Sequence, residues 1–157
     1  MYIPRTKKII KNLVLQRSNE NTYEPTGAQT DIPGSQITYT PESGADKVVY
    51  EYSMQIRNDP DNLNYLFLEL FQNTSGTWSS LGNGFRIEEL AVYSREQTLL
   101  TAKFVMNAWS GSRQFKMRAS ALNQSIFPSS TLDRSATFHQ DDHGQKNDPI
   151  VKMYSIM

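Results

Sequence analysis

The sequence predicts an all-β chain, an antiparallel β-sandwich of the jelly-roll kind with about eight to ten strands. Three observations carry this. In Asp46–Arg57, DKVVYEYSMQIR, Val48, Tyr50, Tyr52, Met54 and Ile56 fall on every second residue with Glu51, Ser53, Gln55 and Arg57 between them, the two-residue period of a half-buried strand. Wrapped as a helix, the same five side chains would scatter around the cylinder. Short runs of this kind recur along the chain, separated by Gly, Pro, Asn and Ser turns, and no stretch shows helical periodicity.

The totals suit one soluble domain. At 157 residues and 38% hydrophobic content the chain can build a sandwich core. No apolar run approaches the ~20 residues that span a bilayer, and no secretory signal follows the basic start MYIPRTKKII. Sixteen cations balance sixteen anions, so net charge argues for neither a nucleic-acid partner nor membrane insertion. Cysteine is absent, which removes disulfides, thiol nucleophiles and thiolate metal sites and fits assembly in a reducing cytoplasm. Asn73-Thr74-Ser75 and Asn123-Gln124-Ser125 match the glycosylation triplet; without a signal peptide both read as chance.

In chain order, residues 1–34 read as a basic arm and linker and residues 35–157 as the jelly-roll domain. The arm carries Arg5, Lys7, Lys8, Lys11 and Arg17 and no acid before Glu20. Its IIKNLVLQ run fits an edge strand whose solvated lysines discourage stray pairing; contact with an acidic partner is the alternative. NTYEPTGAQTDIPG, 21–34, is a surface connection. Gln36–Thr40 is a short strand ended by Pro41, and PESGAD turns into the strand at 46–57. After the turn RNDPDN, Leu63–Gln72 is apolar on both faces, with Tyr65, Phe67 and Phe71 on one and Leu66, Leu68 and Leu70 on the other. A sandwich strand normally keeps one wet face, so this pattern predicts cover from another subunit, with overlying loops as the competing explanation. Asn73–Gly76 turns into Trp78, Asn83-Gly84 is the pair favoured in tight turns, and Phe85–Tyr93 is a strand. Leu99–Trp109 and a returning strand with Phe115, Met117, Ala119 and Ala121 read as a hairpin about Ser110-Gly111-Ser112. Leu132, Arg134, Ala136 and Phe138 mark a weaker strand, and Pro149 introduces the closing apolar strand PIVKMYSIM.

Candidate chemistry is sparse. His139, Asp141 and His143 would share one side of an extended HQDDHG segment and are the weak candidates for a metal set, but alternate strand residues lie roughly 7 Å apart, too far without a tight bend. The rival reading is a solvated polar loop. No Gly-x-Ser-x-Gly elbow accompanies the two histidines, so nothing demands an enzyme, and no cofactor motif is found: Gly82-x-Gly84 reads as a turn. Trp78 and Trp109 adjoin turns, where capping the core is favoured over lining a recognition surface.

The series GSQITYTPESGADKVVYEYSMQI, NAWSGSRQFKMRA and the closing P-I-V-K-M-Y strand resembles the TNF-like, or complement-globular-head, jelly rolls, in particular those of structural proteins of marine tailed phages. The resemblance covers roughly 37–156 and brings no catalytic residues with it. It implies a compact homotrimer in the virion, a capsid decoration (cement) protein or a fibre or spike component, with other virion structural proteins as partners. Tyr65, Phe67, Phe71 and Tyr154 would form the oligomer interface, and Arg5, Lys7, Lys8 and Lys11 the particle-anchoring arm. No collagen-like repeat or coiled-coil stalk precedes the domain, a departure from secreted relatives. A carbohydrate- or receptor-binding module of a tail fibre, reading a host surface glycan with end loops such as 58–62 and 139–148, is the alternative.

Overall fold

The computed structural model describes residues 10–17, 29–57, 64–92, 97–122, 137–138 and 148–157. These form eleven strands: β1 (Ile10–Arg17), β2 (Thr30–Asp31), β3 (Ile37–Tyr39), β4 (Lys47–Arg57), β5 (Asn64–Asn73), β6 (Trp78–Ser80), β7 (Arg86–Val92), β8 (Gln97–Asn107), β9 (Arg113–Leu122), β10 (Thr137–Phe138) and β11 (Ile150–Ile156). The count exceeds the expected eight to ten because β2, β6 and β10 are only two or three residues long.

All pairings are antiparallel and fall into two sheets. In the front sheet the order is β1–β11–β4–β8, with β10 beside β4 beyond the end of β11. In the back sheet β2 and β3 share one side of β9, β5 lies on its other side, and β6 and β7 pair with β5. Because the chain passes repeatedly from one sheet to the other, the sandwich is a jelly roll. Both β1 and β2, from the stretch expected as arm and linker, are strands of this sandwich.

The core follows the alternation. Val48, Tyr50, Tyr52 and Met54 of β4 are buried and face Leu68, Leu70, Phe115, Met117 and Ala119 of the back sheet, with Ala102, Phe104, Met106, Val151 and Met153 beside them. The buried tyrosine hydroxyls need acceptors and find them across the core. Tyr50 donates to the Ser35 carbonyl at 2.7 Å and Tyr52 to the Pro33 carbonyl at 2.8 Å. Tyr39 of β3 pairs with Ser155 Oγ of β11 at 2.8 Å, again between sheets. Ser35 is itself fully buried, accepting from Met117 N at 3.0 Å and donating to the Ile32 carbonyl at 2.6 Å.

One expectation is corrected. Leu99–Ala121 is not a hairpin: β8 pairs with β4 in the front sheet and β9 with β5 in the back sheet. Both strands carry a buried apolar face, and those faces meet across the core rather than lying side by side. Trp109 fills the corner, its ring 5.0 Å from Phe115 and edge-on to Tyr39 at 6.3 Å, with the Arg113 guanidinium 5.1 Å from its centroid. Asn83-Gly84 does lie in a tight turn, as its sequence predicts. Gly82 takes the left-handed conformation (φ 86°), and Asn83–Phe85 is a 3-10 turn closed by Phe85 N to the Gly82 carbonyl. Of the weak strand at 132–138, Thr137–Phe138 is β10 and the remainder lies outside the described residues.

Replacing Leu70 by Ala is expected to cost about 2–5 kcal/mol of unfolding free energy, since the side chain is fully buried. Tyr50→Phe keeps the ring but orphans the Ser35 carbonyl, for a loss of about 1–3 kcal/mol. Urea denaturation of both variants checks the two values.

Candidate interaction surface

The outward faces of the two sheets differ in how they are covered. On the back sheet, the Glu69–Phe71 end of the second face of β5 is covered by its own chain. Glu69 is 2% exposed and accepts from Gln29 Nε2 at 2.6 Å and from Ser80 Oγ. Phe71 is 7% exposed beneath the Arg118 guanidinium, 4.5 Å from its ring centroid. Lys116 lies 4.2 Å over Trp78 and pairs with Asp31 at 2.5 Å, while Arg118 Nε reaches the same carboxylate at 2.7 Å. A side chain of the neighbouring strand β9, rather than an overlying loop or a second subunit, therefore accounts for the burial of Phe71.

The outer face of the front sheet is different. At its centre Glu51 of β4 lies between Lys103 of β8 and Lys152 of β11, as the register pairs them. Lys103 Nζ and Lys152 Nζ each approach the carboxylate to 2.9 Å, and Tyr154 donates to it at 2.8 Å. Burial pushes the Glu51 carboxyl up, but the hydrogen bonds from Lys103, Lys152 and Tyr154 and the Lys152 charge outweigh it, holding the group at about 2 against an ordinary 4.5. The Glu51 hydrogen bond in turn raises Lys103. Around this ion cluster stand uncovered apolar side chains: Ile10, Leu13 and Leu15 on β1, and Leu99 and Val105 on β8, all more than half exposed. With Met157 just past β11, these are the exposed large hydrophobic residues among the side chains described, which on the back sheet leave out 64–66, 86–92 and 121–122.

The residues expected at an oligomer interface thus sit apart. Tyr65, Phe67 and Phe71 are positions on β5 of the back sheet and Tyr154 is on β11 of the front sheet. Phe67 is half-buried, whereas Phe71 and Tyr154, 9% exposed, offer little area to a partner. Of the basic arm, Lys11 is an exposed residue of β1; Arg5, Lys7 and Lys8 lie outside the described residues, as do His139, Asp141 and His143. Among the described residues no three acidic, histidine or cysteine side chains come together as a metal set. The Glu51 cluster was missed from sequence because its members are far apart in the chain. Leu99 and Val105, by contrast, alternate in sequence with Leu100, Ala102, Phe104 and Met106 and so stand on the second face of β8.

No protein-family model and no curated protein matches the sequence. Among solved structures, a chain of the T13 infectious bursal disease virus particle aligns over 92% of this chain and 36% of its own length, at 7% identity and a TM-score of 0.46. A chain of the Gt strain of infectious bursal disease virus aligns over 89% of this chain and 40% of its own, at 10% identity and a TM-score of 0.36. The chain thus spans less than half the length of either viral chain. Likenesses this distant assign neither a fold nor a role; the jelly roll stands on the strand order itself.

The depressed Glu51 carboxyl gives the fold a pH dependence of known sign. Its contribution is fully present above the unfolded value of 4.5 and is lost as pH falls through about 2, amounting to on the order of 3 kcal/mol. Glu51→Gln is expected to flatten the stability profile between pH 5 and 2, as urea midpoints measured across that range would report.

Proposed function

We propose that the protein is a virion structural component: a homotrimeric jelly roll displayed on a phage particle, as a capsid decoration (cement) protein or as a fibre or spike component, assembled in the host cytoplasm and docked on other virion proteins. One observation carries the reading. The exposed large apolar side chains among those described gather on the front sheet or just past its last strand, while Glu69 and Phe71 on the outer side of β5 are covered by their own chain. A one-sided distribution of this kind marks an association surface. The resemblance of 37–156 to TNF-like jelly rolls of phage structural proteins supports the trimer and the particle setting.

In this reading the subunit contact forms on the β1 side of the front sheet, through Ile10, Leu13 and Leu15, in place of the β5 face that the sequence pointed to. Burying these side chains contributes about 25 cal/mol per Å² before the cost of association. Glu51 arrives already paired with Lys103 and Lys152, so covering this face strands no unpaired anion and leaves one lysine charge in excess for the partner to meet. The basic arm with Arg5, Lys7, Lys8 and Lys11 anchors the domain to the particle.

A second reading, a module that binds a host surface glycan, is favoured by an open depression of about 470 Å³ between Pro41–Ala45 and Ala108–Gly111, with Trp109 in its wall. Its size suits a small ligand. Binding on a glycan array that disappears in a Trp109→Ala variant with its fold intact would support it, and a silent array favours pure decoration.

Sedimentation at micromolar concentration is expected to give about three times the chain mass of 17.9 kDa, and the double substitution Leu13→Lys with Leu15→Lys to weaken the trimer at least tenfold with unchanged circular dichroism. A wild-type protein that sediments as a single chain overturns the trimer. Labelling of intact particles tests the virion assignment separately.

A further inference from the structure

We infer that the free edge of β8 pairs with the same edge of a second copy, antiparallel about a two-fold axis at Ala102, so that two front sheets join into one. Among the described residues β8 pairs with β4 alone, leaving one side open along all eleven residues, Gln97–Asn107. The other sheet borders are interrupted or short. Pairing of β1 breaks between Lys11 and Val14, where Asn12 takes φ 50°; β2, β3 and β6 have two or three residues, and β7 shifts register between Leu66 and Leu68 of its neighbour. An unbroken edge without proline or bulge is a template for another strand.

The residues of β8 select the partner. QTLLTAKFVMN reads alike from either end: polar, apolar, polar at positions 97, 99 and 101 and again at 107, 105 and 103, of which Leu99, Thr101, Lys103, Val105 and Asn107 are exposed. With Ala102 opposite the partner's Ala102, Leu99 (74% exposed) faces the partner's Val105 (52% exposed), and this apolar pair forms twice. Thr101 then faces the partner's Lys103, and Gln97 the partner's Asn107. Sliding by two residues sets Lys103 against the partner's Lys103, or Leu99 against the partner's Lys103, and a one-residue slip places core-facing against outward-facing side chains. One register therefore satisfies every outward position. The usual guard of such an edge, an outward lysine, is disarmed here: Lys103 leans onto β4 to meet Glu51 at 2.9 Å.

This contact uses the opposite edge of the front sheet from β1 and stands or falls independently of the trimer and of the particle. It would link two trimers, or two single chains, equally well.

The absence of native cysteine makes a cross-linking test clean. Leu99→Cys and Val105→Cys are prepared separately, checked for native circular dichroism and thermal melting, then oxidised alone and after mixing with subunit exchange. The mixture is expected to give a disulfide-linked species of twice the chain mass on a non-reducing gel, and each variant alone at most a tenth as much. No linked species from the mixture overturns the pairing, and equal linking by either variant alone overturns the register. Val105→Lys is expected to weaken the two-copy contact at least tenfold while leaving any trimer mass unchanged; loss of the trimer with the cross-link retained would instead count against the proposed function only.

Discussion

The sandwich depends on tyrosine hydroxyls buried on its central strand. Tyr50 and Tyr52 lie at the middle of the front sheet, wholly out of water, where an unpaired hydroxyl would cost several times what the paired one contributes. Their acceptors are the carbonyls of Ser35 and Pro33, across the core at the border of the back sheet. Tyr39 makes the reverse crossing to Ser155. Hydrophobic burial presses two sheets together without direction, whereas these three bonds specify which residues meet. They also explain why Ser35 is buried beside Met117: the turn that supplies the carbonyls must itself be pinned to β9.

With the inner faces committed, the character of the molecule is set by the outer ones. The back sheet closes on itself through cations laid over aromatic rings and held by Asp31. Phe71, covered in this way, offers a partner little apolar area. The front sheet has a carboxylate held by two lysines at its middle and bare apolar side chains toward both edges, and those side chains gain from being covered. Its two edges also differ chemically. β1 is bulged and flanked by basic residues, while β8 is straight and nearly symmetric about Ala102, so one sheet supports two separate associations.

Much of the fold was legible in short stretches. The alternation of Val48, Tyr50, Tyr52 and Met54 sorted them inward correctly, as it did Ala102, Phe104 and Met106 of β8 and Phe115, Met117 and Ala119 of β9. The turns at Gly76 and Gly111 were also legible, and both glycines take the left-handed conformation that glycine permits. The error at β8 and β9 shows the limit: two adjacent half-apolar strands joined by Ser-Gly-Ser look the same whether they pair edge to edge or face each other across a core. The interaction surface was harder still. Phe71 and Leu99 are both large apolar residues on strands, yet one is roofed by Arg118 and the other is bare.

Side-chain direction within a strand is a local property, dictated by the backbone's two-residue period, and so the chain alone decided which residues form the core. The choice of neighbours belongs to hydrogen-bonded register between segments as distant as Glu51 and Lys152, for which no local pattern exists. Only the folded arrangement could set a carboxylate between two lysines, seal one outer face and leave the other open, because each of those outcomes depends on what the rest of the chain places overhead.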